Sequence, residues 1–483
     1  MCRGEAKKML KILFVSSEVA PYIKTGGLAD VVGSLPQALN KLGHDTRVVL
    51  PEYKQIAYKY IKKLEHIISF NTKLAWRKEY VGINQIKNAE VKTYFLDNKY
   101  FFWRDNLYKN NDRALQFAFF CRAVLDMLPR INFKPDIIHC HDWQTGPLSL
   151  FLKSEYKNKE FYKNIKTVFT IHNLRYQGKF SFEILDDILA VDKKYWYKGL
   201  IKNNNLINYM KIGIMTADKI TTVSDTYAEE IKTSHFGEGL DYALKFREND
   251  LSGIINGIDY NNFNPEFDKK IYVNYSHERI RGKLENKLRL QQKLKLAMRE
   301  KTPIIGFISR LCRQKGIDLL LKVIKNILQE DIQFILLGTG DPTYEYALKQ
   351  ISKLHPDKTS INLKYDSNLA HKIYAGSDLF LMPSEYEPCG LSQLISLRYG
   401  TIPIVRETGG LNDTIEPYSE YNNSGNGFTF THYNAHDMLY TIKRAITFYH
   451  KPEIWSNLVQ KAMKADFSWT KSAEKYSNLY KII

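Results

Sequence analysis

Lys24-Thr25-Gly26-Gly27-Leu28-Ala29-Asp30 follows the apolar run Lys11-Ile12-Leu13-Phe14-Val15 and opens an amphipathic helical pattern over Leu28–Leu42. A strand, a diglycine turn and a helix in that order bring backbone N–H groups and a helix N-terminus to one point, which favours anions such as phosphate. Lys24 adds a mobile positive charge. Toward the other end of the chain, Glu407-Thr408-Gly409-Gly410-Leu411-Asn412-Asp413 repeats the Thr-Gly-Gly-Leu-x-Asp core after the strand-like Thr401-Ile402-Pro403-Ile404-Val405. A single diglycine marks a turn. Two of them, each at the C-terminal end of a strand, predict two α/β lobes that grip one phosphorylated ligand.

Short apolar runs separated by helical patterns extend this reading outward. Thr46–Leu50, Lys92–Leu96, Asp136–His141 and Lys166–Ile171 continue the first series, with a helix over about Ala114–Leu128. Ile304–Ile308, Gln333–Leu337, Leu379–Met382 and Ile402–Val405 form a second series after Asn256-Gly257-Ile258-Asp259. Alternation of this kind predicts parallel, doubly wound sheets. The expected architecture is therefore two Rossmann-like domains facing across a cleft, over residues 1–255 and 256–467. A C-terminal helix over 468–483 carries Trp469, Ala473, Tyr476, Tyr480 and Ile483 at helical spacing; it either stays on the second domain or crosses back to the first. The charged stretch His277–Glu300 reads as a solvated surface helix.

A chain of 483 residues exceeds one ordinary core, which agrees with two domains. An apolar fraction of 44% supports folded cores rather than disorder. The net charge of +18 is spread along the chain without a basic tail or nucleic-acid motif, so no nucleic-acid partner is expected. Five scattered cysteines, Cys2, Cys121, Cys140, Cys312 and Cys389, contain no Cys-x-x-Cys pair and fit a reducing compartment. No membrane-length apolar run or signal-peptide core is present, and a cytoplasmic protein without a membrane partner is expected. Residues 1–8 are assigned no function, since Met9 stands directly before the first strand.

The chemistry-bearing residues gather where strands end. His139-Cys140-His141-Asp142-Trp143 offers two histidines on one strand face, but no compact third and fourth ligand, so no metal is expected. Asp142 is instead an acidic contact for substrate hydroxyls. The next strand runs into His172-Asn173-Leu174-Arg175. In the second half, Ser309-Arg310-Leu311-Cys312-Arg313-Gln314-Lys315-Gly316 supplies a planar guanidinium and a compact ammonium, which together suit a diphosphate leaving group. Glu385-Tyr386-Glu387-Pro388-Cys389-Gly390-Leu391 presents a carboxylate at a helix start, with Glu385 and Glu387 both eligible. No strand is followed by a complete Gly-x-Gly-x-x-Gly, which argues against a dinucleotide-dependent dehydrogenase.

Taken in order, the Lys24–Asp30 motif, His141-Asp142-Trp143, Thr170-Ile171-His172-Asn173-Leu174, Asn256–Asp259, Ser309-Arg310-Leu311 with Gln314-Lys315-Gly316, and Glu387–Leu391 resemble the bacterial glycogen synthase and plant starch synthase family. The resemblance implies a GT-B-type retaining glucosyltransferase that moves glucose from ADP-glucose to the non-reducing end of an α-1,4-glucan, with no metal or other cofactor. It places Lys24, Gly26, Gly27 and Asp30 at the donor, and Arg310 and Lys315 on the diphosphate. It selects Glu387 over Glu385 at the transferred sugar, with Cys389, Gly390 and Leu391 behind it. His172 and Asp142 fall around the glucose, Thr408, Gly409 and Gly410 near the sugar and phosphates, and Tyr365 stacks on the nucleobase. Catalysis on this reading rests on Glu387, His172, Asp142, Lys315 and Arg310. Gln144, Phe263 and Lys364 depart from the family's usual His, Trp and Gly, and Asn111–Phe117 fits only loosely; these bear on acceptor length and base preference. The alternatives are a related transferase using UDP-glucose or another acceptor, and a non-catalytic glycan- or nucleotide-binding relative.

Overall fold

The computed structural model describes residues 9–483; Cys2 and the rest of residues 1–8 lie outside the described residues. The chain forms two compact units. One runs to Ile254 and takes back Trp469–Ile483, and the other is Ile255–Ser468. Among the described residues no helix is long and apolar enough to cross a membrane.

The first unit is built on a nine-stranded sheet of β1 (Lys11–Val15), β2 (Asp45–Pro51), β3 (Leu64–Leu74), β4 (Arg77–Ile86), β5 (Lys92–Asp97), β6 (Ile137–His141), β7 (Lys166–Ile171), β11 (Lys219–Thr222) and β12 (Leu251–Gly253). A small separate sheet holds β8 (Lys179–Phe180), β9 (Lys202–Asn203) and β10 (Leu206–Asn208). The large sheet runs in the order β12-β11-β7-β6-β1-β2-β5-β4-β3. Strands β1, β2, β5, β6, β7, β11 and β12 pair in parallel, and the buried runs of the central strands β1, β6 and β7 are what a sheet covered on both faces requires. The β3–β4 hairpin adds an antiparallel edge and is a departure from the purely parallel sheet expected. Strand order reverses between β1 and β6, so the loops leaving these two strands diverge and open a crevice at their C-terminal ends.

The loop after β1 leads into the helix Gly27–Lys41, which buries Leu28, Val31, Val32, Leu35 and Leu39 at helical spacing. Gly33 lets this helix approach the preceding loop, because a Cβ there would lie 2.5 Å from the carbonyl oxygen of Ala20. The helix Trp469–Lys481 belongs to this unit and packs along Gly27–Lys41, with Trp469, Ala473, Tyr476 and Tyr480 buried. Its aromatic stripe is thus a docking face.

The second unit carries six parallel strands: β13 (Ile304–Ile308), β14 (Gln333–Leu337), β15 (Thr359–Asn362), β16 (Leu379–Met382), β17 (Ile402–Arg406) and β18 (Phe428–Phe430). Their order is β15-β14-β13-β16-β17-β18, and the reversal lies between β13 and β16. The helix Ile317–Gln329 covers the sheet with Leu320, Val323, Ile324 and Ile327. Within His277–Glu300 the helix Arg281–Lys293 corrects the expectation of a solvated helix: Lys283, Asn286, Lys287, Leu290 and Gln291 are buried. Two of its cations, Lys283 and Lys287, are buried because each has oxygen partners. Lys283 Nζ donates to the carbonyls of Tyr399 at 3.0 Å and Ala375 at 3.2 Å and to Thr401 Oγ1 at 2.7 Å. Lys287 Nζ lies 2.9 Å from Asp378 Oδ2. Burial lowers the Lys283 pKa to about 7.

Candidate active site

In the first unit the opening motif is held by a residue that sequence reasoning missed. Glu18, buried just beyond β1, accepts hydrogen bonds from Thr25 N, from Thr25 Oγ1 at 2.6 Å and from Gly26 N at 3.3 Å. Tyr108 OH donates to the same carboxylate at 2.6 Å. The anion bound by the first N–H groups of this loop is therefore the chain's own. The signal was present as an acidic residue in Ser16-Ser17-Glu18 directly after a buried strand, where a carboxylate needs several donors. Gly26 stands at the N-cap of the helix Gly27–Lys41 in extended conformation, and a Cβ there would meet nothing within 4 Å. Lys24 Nζ reaches Asp30 Oδ1 at 2.7 Å on the exposed side of the loop.

Asp142 and His172 sit at the ends of the adjacent strands β6 and β7. Asp142 has φ 57° and ψ 177°, a region natural to glycine, and such backbone strain costs about 1–3 kcal/mol where a structure retains it. The strain turns its carboxylate back onto the next strand, where Oδ1 accepts from His172 N at 2.8 Å. Burial pushes the Asp142 carboxyl up to about 7, against the backbone donors of His172 and Asn173, and the charge of Glu18 adds to the rise. His172 Nε2 lies 3.0 Å from His141 Nδ1. Burial pulls the His172 imidazole down to about 3 and holds His139 and His141 well below their ordinary value, so all three rings are neutral near pH 7. Both ring nitrogens of His139 bond to hydroxyls, those of Tyr480 and Thr170. Among the described residues no group of three or more His, Cys, Asp or Glu side chains is arranged to hold a metal ion.

In the second unit the loops leaving β13 and β16 flank the strand-order reversal. Lys315 Nζ and Glu387 Oε2 meet across it at 2.5 Å, and Ser384 Oγ donates to the same carboxylate oxygen at 3.0 Å. Both side chains are mostly buried, at 17% and 9% exposure, so the pair is screened less than a surface ion pair. Glu385 faces a different partner, Arg313, at 3.4 Å, and is only half-buried. Glu387, Pro388 and Cys389 rest on the second diglycine. A Cβ on Gly409 would stand 2.1 Å from Glu387 O, and one on Gly410 would stand 2.2 Å from Cys389 O. Gly410 N also donates to Glu387 O at 3.1 Å. Thr408 is the buried N-cap of the short helix Gly409–Thr414. Gln393 Nε2 donates to Cys389 O at 2.8 Å and Gly390 O at 3.0 Å, fixing the turn in which Gly390 has φ +74°. Leu391 is half-buried at the start of the helix Ser392–Arg398.

The second unit thus brings together Lys315, Glu387, Cys389, Gly390, Leu391, Thr408, Gly409 and Gly410. Arg310 is exposed on the loop after β13. Tyr365 stands apart from them beyond the edge strand β15, 88% exposed, on a loop closed by the Lys364–Asp366 pair at 2.8 Å. Of the departures, Phe263 stacks on His371 with ring centres 4.8 Å apart, and Gln144 is buried beside Trp143.

The chain, with a mostly parallel sheet in the first unit and a parallel one in the second, matches known proteins over nearly its full length. Residues 11–246 match the family model of the starch synthase catalytic domain, and residues 289–462 that of glycosyl transferases group 1. The glycogen synthase of Desulforamulus reducens is 51% identical over 472 residues, covering 98% of both chains. That of Geobacillus stearothermophilus is 48% identical over 472 residues, covering 98% of this chain and 97% of its own. Among solved structures, the catalytic domain of starch synthase IV from Arabidopsis thaliana, bound to ADP and acarbose, superposes with a TM-score of 0.90 at 35% identity, covering 98% of this chain and 99% of that one. Sucrose-phosphate synthase from Thermosynechococcus elongatus shares the fold, with a TM-score of 0.61 at 16% identity. The chain belongs to the glycogen synthase and starch synthase family of GT-B glycosyltransferases.

Proposed function

We propose that this protein is a retaining glucosyltransferase that moves glucose from ADP-glucose to the non-reducing end of an α-1,4-glucan in the cytoplasm, without a metal. The observation that carries the reading is the Lys315–Glu387 pair at 2.5 Å, seated on Gly409 and Gly410 at the strand-order reversal of the second unit. Breaking the bond between the sugar C1 and phosphate builds positive charge on the ring and negative charge on the departing ADP. Lys315 and Arg310 neutralise the diphosphate, which leaves no task for a divalent ion. Lys315 can serve Glu387 and a phosphate together, since an ammonium has three donors.

Glu387 holds a hydroxyl of the transferred glucose. His172, kept neutral, hydrogen-bonds the sugar without adding positive charge beside an oxocarbenium-like ring. Asp142 fixes the backbone from which His172 emerges. Lys24 and the N-terminus of the helix Gly27–Lys41 face the donor, and Tyr365 stacks on its base. The acceptor oxygen forms its bond to C1 on the face from which ADP leaves, and its proton passes to the departing phosphate oxygen, so the configuration is retained.

Titration calorimetry with ADP and UDP tests the donor half of this reading. ADP binding the intact chain at least about tenfold more tightly than UDP, and weakening by about 1.5–3 kcal/mol in Lys315→Ala, is expected from a charge-assisted contact. Equal affinity for the two nucleotides, or no change in Lys315→Ala, would count against it.

A further inference from the structure

We propose that Tyr480, three residues from the end of the described chain, is a positioning residue for His172, acting through His139 and His141. The inference rests on the role proposed above for His172 at the sugar. Four groups are in sequence. Tyr480 OH lies 2.7 Å from His139 Nδ1, and Thr170 Oγ1 lies 2.5 Å from His139 Nε2, so the His139 ring is tied at both nitrogens. That ring stacks on His141 with centres 4.2 Å apart and an interplanar angle of 28°. His141 also stacks on Phe14 at 5.5 Å and 16°. From this packed position its Nδ1 meets His172 Nε2 at 3.0 Å.

Hydrogen-bond accounting assigns the protons. His139 and His141 are fully buried, and His141 Nε2 has no hydrogen-bond partner among the described residues. A proton on that nitrogen would leave a buried, unpaired N–H, which is the costlier alternative to an unpaired acceptor. His141 therefore carries its proton on Nδ1 and donates it to His172 Nε2. His172 is then protonated on Nδ1, which remains as its one N–H donor. Any tilt of the His139 ring shifts the stacked His141 ring, and with it the bond that sets the tautomer and orientation of His172. The C-terminal helix is in this sense part of the site's support, and its hydroxyl at Tyr480 acts at one point of it.

The same helix offers a control. Ser477 Oγ meets His44 Nε2 at 2.8 Å, a second buried bond from this helix that does not involve the histidine stack. In full-length protein, Tyr480→Phe keeps the ring and removes the hydroxyl, and Ser477→Ala removes the other bond. Tyr480→Phe is expected to lower kcat about tenfold, the scale of one lost hydrogen bond, with the KM for ADP-glucose within about twofold. The imidazole 15N signals of His172, assigned by their loss in His172→Asn, are expected to move from single-tautomer to intermediate shifts. Ser477→Ala should leave both readouts unchanged. Wild-type kcat and His172 signals in Tyr480→Phe, or equal effects from Ser477→Ala, would overturn the proposal. Full transfer by His172→Ala, with the 15N shifts still moving in Tyr480→Phe, would overturn the role of His172 at the sugar and leave the coupling standing.

Discussion

Lys315 Nζ sits 2.5 Å from Glu387 Oε2, joining the loops that leave the two central strands of the second sheet. Glu387 is held by this ammonium and by Ser384 Oγ, so two donors from different loops meet at one carboxylate oxygen. Glu387→Gln preserves shape and removes the charge. Transfer is expected to fall about 10²–10³-fold, the scale of one electrostatic group acting on the transition state, while ADP affinity stays within about threefold. Steady-state kinetics with calorimetry on the same preparation checks both; a fully active variant removes Glu387 from the reaction.

The glycines of the two Thr-Gly-Gly-Leu motifs differ in what surrounds them. A Cβ at Gly26 meets no atom within 4 Å, whereas at Gly409, with φ +45°, it would collide with the carbonyl of Glu387. Gly26→Ala should melt within about 2 °C of wild type and, if the space it fills is the donor's as proposed, still show a raised KM for ADP-glucose. Gly409→Ala should lose both melting temperature and kcat, since either the backbone strain or the displaced Glu387 must be accepted. A wild-type KM in Gly26→Ala would assign that space to no ligand.

Tyr365 is 88% exposed, so folding leaves most of its ring uncovered. Tyr365→Ala should leave the melting temperature unchanged and weaken ADP binding by about 1–3 kcal/mol, the range for one base–aromatic stack, while Tyr365→Phe retains the affinity. Wild-type ADP affinity in Tyr365→Ala would remove it from the base site.

The loops leaving β1 and β13 were legible because each follows a buried apolar strand with small and charged residues, as in Val15 to Gly27 and Ile308 to Gly316, whereas the strand order that places them at the reversals comes from the pairing of distant strands. The β3–β4 hairpin was not, since its mixed polar and apolar residues follow an exposed edge rather than a core. Lys283 and Lys287 were read as solvated because sequence shows a charge but not the carbonyls and Asp378 that receive it. Glu18 escaped notice for the converse reason: three of its four donors lie within the Thr25–Gly26 turn, and only the folded loop brings them to one carboxylate. The position of Asp142 at the end of a buried strand was legible, but its backbone strain and its grip on His172 N depend on the pairing of β6 with β7.

The histidine stack gives the protein an acid-sensitive interior. His139, His141 and His172 have folded pKa values below the unfolded value near 6.5, so the unfolded chain binds more protons as pH falls through that value. Stability is therefore lost below about pH 6.5, at up to about 1.4 kcal/mol per pH unit for each ring. Asp142 works in the opposite direction. Its folded pKa near 7 exceeds the unfolded 3.8, so it contributes stability as pH falls across that window. Asp142→Asn should thus lose stability more steeply than wild type between pH 6.5 and 4.5 in urea-unfolding series, and parallel slopes would contradict the assignment.

The central claim is tested most directly by following labelled glucose from ADP-glucose and from UDP-glucose into glycogen, in parallel, in the presence of a chelator. Turnover with ADP-glucose that exceeds turnover with UDP-glucose at least about tenfold, persists with the chelator and yields product released by an α-1,4-specific hydrolase is the predicted result. ADP-glucose binding without transfer, or transfer favouring UDP-glucose, would contradict it.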